Sequence, residues 1–115
     1  MLNCEAELQG LAKEIKKFEE REYAAILPDL WRRRDRNPGD HDVSQLITDS
    51  YFNLALVDLQ RGDPAAAAAK LKDALEVDPD DEDLRRLSLF ATTYSGRGQD
   101  LLYLIFVKYL PSRDL

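Results

Sequence analysis

Between its breakers this chain spaces apolar residues three and four positions apart, and that spacing confines it to helices. Asn37-Pro38-Gly39-Asp40 and Asp78-Pro79-Asp80-Asp81 are strong stops. Arg61-Gly62-Asp63-Pro64 and Ser95-Gly96-Arg97-Gly98 are weaker ones, and Pro111 closes the last apolar run. The first interval carries Leu8, Leu11, Ala12, Ile15 and Phe18. The next carries Tyr23, Ile26, Leu27, Leu30 and Trp31, an uninterrupted helical stripe. Leu46, Ile47, Tyr51, Leu54, Ala55 and Leu59 follow, then Ala67, Ala68, Leu71, Ala74 and Leu75, then Leu84, Leu87, Phe90, Ala91 and Tyr94. The pattern predicts an all-α chain of about six helices, paired as three antiparallel helix-turn-helix hairpins over residues 3–37, 42–78 and 80–110. A single domain accommodates all 115 residues.

The helix starts carry suitable caps. Asp63 can cap a helix opening on Pro64, whose missing N–H is no loss at that position. Asp80 or Asp81 can cap the next, with Glu82 and Asp83 facing the positive end of its dipole. The acidic run around Pro79 therefore reads as a turn and a cap; a calcium loop needs ligands over ~12 residues around a central glycine, and that spacing is absent.

Composition narrows the function. With 44% hydrophobic and 33% charged residues the chain can bury a core and stay soluble. A net charge of −6 opposes general affinity for nucleic acid or anionic membranes. One cysteine, Cys4, and one histidine, His41, leave little material for a disulfide, a metal site or an acyl-transfer triad. Phosphate-loop, dinucleotide, zinc-protease and nucleophile-elbow motifs are missing, so neither a catalytic residue nor a cofactor or metal is expected. Arg32, Arg33, Arg34 and Arg36 suit the negative end of a helix dipole. Neither a signal peptide nor a run of ~20 apolar residues is visible, which points to the cytoplasm.

The hairpins repeat. Pro38 and Pro79 are 41 residues apart; Gly62 and Gly96, Ala67 and Leu101, and Leu71 and Ile105 are each 34 apart, and a helix-turn-helix period near 34 is a repeat signature. Residues 48–81, with Tyr51, Leu54, Ala55, Gly62, Ala67, Leu71, Ala74 and Pro79 in place, resemble one complete tetratricopeptide repeat. Asp58 stands where the family often has tyrosine. The flanking units are degenerate: Pro28 falls inside the second helix of the first, Arg33 replaces a small residue, and Lys108 does so in the third. The resemblance implies a right-handed α-solenoid of three hairpins; the rival arrangement is a helical bundle with one accidental repeat.

In that family the first helix of each pair lines a concave groove that takes extended peptides or helices. Carried over by position, Asp49, Phe52, Asn53, Leu56, Leu59 and Gln60 would line it here, with Leu59 covered by neighbouring hairpins and Phe52 and Asn53 open to a protein or peptide partner. Some members grip a C-terminal carboxylate with cations spread over three repeats. Asn53 matches their central asparagine, but Gln9, Lys13, Asp83 and Leu87 spoil the rest of such a clamp. The expected function is a non-catalytic interaction and scaffolding module.

The last apolar segment, Leu101–Leu110, holds Lys108 as its one charge. As a helix it would turn Leu101, Leu104 and Ile105 toward Leu87, Phe90 and Tyr94, leaving Leu102, Phe106 and Tyr109 outward. A terminal repeat helix needs a polar outer face, and this one lacks it. The tail could fold back into the chain's own groove, residues beyond 115 could cover the face, or the chain could self-associate through Leu102, Phe106 and Tyr109 as a homodimer.

Overall fold

A computed structural model describes residues 10–114, so Cys4, Leu8 and Gln9 lie outside the described residues. Among the described residues six α-helices account for most of the length, and no strand occurs. They are α1 (Ala12–Glu19), α2 (Tyr23–Arg36), α3 (His41–Gln60), α4 (Pro64–Val77), α5 (Glu82–Thr93) and α6 (Leu101–Lys108). The helices start where the caps were expected. Asp63 accepts from the Ala66 N–H at 3.1 Å, and Asp81, not Asp80, accepts from Leu84 at 3.1 Å. Asp40 and Asp100 cap α3 and α6 in the same manner. α2 and α4 are both 14 residues long and begin 41 residues apart, as the proline spacing implied. Pro28 is accommodated inside α2.

Consecutive helices pack on one another from α1 to α5, and α3 is the most enclosed of them. Two clusters form the core. Leu11, Phe18, Ile26, Leu30, Val43, Leu46 and Ile47 make one; Ala55, Leu59, Ala67, Leu71, Ala74, Leu84 and Ala91 belong to the other. Fully buried alanines at 55, 67, 74 and 91 let neighbouring backbones approach closely. Asp58 is buried at the α3–α4 contact and paired with Lys70. Trp31 Nε1 donates to the Tyr51 hydroxyl at 3.0 Å, tying α2 to α3.

The final segment is a helix, but its register differs from the expectation. Tyr103 and Val107 face inward, while Leu101, Leu104 and Ile105, assigned to the inner face, are exposed. The backbone of α6 comes nearest to α3 and does not complete a close hairpin with α5. Two features explain this. Phe90, Tyr94, Tyr103 and Phe106 pack against one another between the end of α5 and α6 at ring-centroid distances of 4.6 to 5.5 Å, where the central hairpin has alanines. The loop before α6 is also pinned: a Cβ on Gly98 would lie 2.1 Å from the Gly62 carbonyl oxygen. Tyr103 then reaches the end of α3, where its hydroxyl donates to the Leu59 carbonyl at 2.5 Å.

Candidate functional site

Asp49, Phe52 and Asn53 lie one turn apart on α3, so their side chains share one face of that helix. The face is occupied. After α6 the chain turns at Leu110, and residues 111–114 run back across α3. The Asn53 carboxamide donates to the Arg113 carbonyl at 2.8 Å and accepts the Arg113 N–H at 2.7 Å. Both backbone groups of one residue point to one side only when that backbone is extended, so the contact imitates a strand pair.

The Arg113 side chain is held on three sides. Nη1 donates to Asp49 at 3.1 Å, and Nη2 donates to both oxygens of Asp81 at 2.9 and 3.1 Å. Asp83 adds an ion pair at 3.6 Å, although its own side chain is largely in solvent and contributes little. The guanidinium lies over the Phe52 ring, 4.4 Å from its centroid, in cation–π geometry. Asp81 thus does two tasks, capping α5 and binding the guanidinium.

The two principal carboxylates differ electrostatically. Burial pushes the Asp49 carboxyl up, and Arg113 offsets only part of that rise. Burial also pushes at Asp81, but hydrogen bonds from Arg113 and from the Leu84 and Asp83 N–H groups outweigh it and hold that carboxyl low. Arg113 is raised: burial opposes its charge, and the hydrogen bonds and attraction of Asp81 and Asp49 overcome it.

Of the residues expected to line the groove, Asp49, Phe52 and Asn53 are brought together at Arg113. Phe52, expected to be open, is buried beneath the guanidinium and belongs to the core cluster. Leu56 is likewise buried, sharing a cluster with Tyr103 and Val107 of α6, and Leu59 is fully covered. Gln60 stands apart and exposed, beside Leu104 and Lys108. Leu102, Phe106 and Tyr109 remain exposed even though the tail folds back. His41 opens α3 and is exposed.

Sequence reasoning assigned no site role to Asp81 or Arg113, and gave Asp83 a place at the helix dipole and as a charge that spoils a carboxylate clamp. Asp83 lies 34 residues beyond Asp49, the spacing of the sequence repeat. Among the described residues no group of three or more His, Cys, Asp or Glu side chains is placed to hold a metal ion. No helix among them is long and apolar enough to cross a membrane. No family model, curated protein or solved structure matches this chain.

Proposed function

We propose that this chain is a non-catalytic protein-interaction module, a tetratricopeptide-like solenoid of helical hairpins whose groove on α3 takes an extended peptide. The observation that carries the reading is the reciprocal pair of hydrogen bonds between Asn53 and the Arg113 backbone. Those bonds engage groups that every peptide possesses, so the same carboxamide can hold a segment of another protein. The 41-residue offset between α2 and α4 and the small residues at the helix crossings support the architecture.

Selection of a random peptide library on the full chain tests the reading. It should enrich peptides whose binding is lost in Asn53→Ala. Enriched peptides indifferent to that change would overturn it.

Exposed Leu102, Phe106 and Tyr109 favour a second reading, an assembly domain that associates through α6.

A further inference from the structure

We infer that the groove is a recognition site for arginine carried on an extended segment, and that residues 111–113 are its resident occupant, displaced when a partner peptide of the same chemistry binds. This rests on the peptide-groove reading and narrows it to a ligand class.

Asn53 touches only the backbone of Arg113 and cannot discriminate among side chains. Discrimination falls to the carboxylates. Asp49 from the middle of α3 and Asp81 from the start of α5 meet different nitrogens of one guanidinium. A planar fork with five donors bridges such a pair, whereas a lysine ammonium is a single point of charge. The Phe52 ring supplies a flat floor that suits a guanidinium plane. An uncharged residue in that place would leave the buried Asp49 carboxylate without its cation, which penalises other sequences as well as favouring arginine.

The tail also fills the groove incompletely. Arg113 borders two cavities. One, of about 340 Å³, is apolar and lies beside Leu87, Phe90, Phe106 and Pro111. The other, of about 660 Å³, extends past His41, Thr48 and Asp78. A longer segment with arginine at the same place could enter both, and the tail contributes nothing to the second beyond Arg113 itself. Displacement is therefore open to a peptide that extends further, although the tethered tail competes at an effective concentration on the order of mM.

A fluorescein-labelled peptide of sequence Leu-Pro-Ser-Arg-Asp-Leu, identical to residues 110–115, provides the probe. Two further peptides replace its arginine by lysine or alanine. Anisotropy titrations at low salt would use the unmodified chain and its Arg113→Ala and Arg113→Gln variants, each checked by circular dichroism and melting. Freeing the site should tighten binding of the arginine peptide by about 10-fold or more over the unmodified chain. The alanine peptide should bind about 10-fold more weakly than the arginine peptide, and the lysine peptide between them. Adding Asn53→Ala to either variant should weaken all three.

Equal binding of the alanine and arginine peptides, still sensitive to Asn53→Ala, would overturn arginine recognition and leave the peptide groove standing. No binding by folded Arg113→Ala or Arg113→Gln chains at about 1 mM would overturn both readings. Binding equal in the unmodified chain and the variants would overturn occupancy by the tail. A dimer that dissociates on Arg113→Ala would show the tail lodged in a second copy, overturning the assignment within one chain.

Discussion

Asp49 and Asp81 grip the same guanidinium, yet their ionisation acts on stability with opposite sign. The Asp81 carboxyl is held low, so the stability it adds is present above its unfolded value and is lost as acid protonates the folded site. The Asp49 carboxyl is raised by burial, so its contribution is present below its unfolded value and is lost as pH rises through the raised one. The Asp81 slope therefore lies below the ordinary carboxylate value and the Asp49 slope, of opposite sign, above it. Asp49→Asn should remove the loss of stability as pH rises above the ordinary carboxylate value, whereas Asp81→Asn should flatten the acid loss below it. Urea midpoints between about pH 3 and 7 would read both, and identical profiles would show that the carboxylates do not titrate with the fold. Asp49, Phe52 and Asn53 were named together through the repeat resemblance, and helical spacing puts them on one face. Arg113 was not, because its place depends on where α6 ends and which way the chain then turns.

At the scale of single elements, the helices and their caps were readable because both follow from local spacing and backbone hydrogen bonding. The turn after α1 contains a local conflict that the 41-residue offset exposes. Arg21 there adopts φ +64°, with its N–H bonded to Phe18 and that of Glu22 to Lys17, and its counterpart Gly62 adopts φ +79°. A left-handed non-glycine residue costs about 1 kcal/mol, so Arg21→Gly should raise stability by roughly that amount in urea unfolding. Unchanged stability would show that packing of Arg21 offsets the strain. Close packing of α3, α4 and α5 relies on fully buried alanines. Ala67→Leu should destabilise by ~1–3 kcal/mol, and a wild-type melting temperature would mean that the crossing has spare room. The register of α6 was misread for a definite reason. Nearly every position of Leu101–Leu110 is apolar, so periodicity left several faces equally eligible.

At the scale of the whole molecule, α6 is placed by contacts distant in sequence: Gly98 against Gly62, Tyr103 against Leu59, and aromatic rings against α5. Gly98→Ala puts a methyl group onto the Gly62 backbone. It should cost about 2 kcal/mol and loosen the tail with α6, seen as faster amide exchange at Arg113 than in the unmodified chain. Wild-type exchange would mean that the loop yields without moving the helix. The exposed apolar residues of α6 give the self-association reading its own test. Light scattering at about 100 μM should report a dimer that Phe106→Glu dissolves, and a monomer unaffected by the change would remove that reading. By itself the sequence determined that the chain is helical, where most helices begin and end, and which residues share a face of α3. Each of these depends on neighbours within about four positions. Tertiary structure alone decided that α6 lies nearest α3 and that Arg113 reaches Asn53 across 60 residues, because packing and charge pairing act through space and leave no period along the chain.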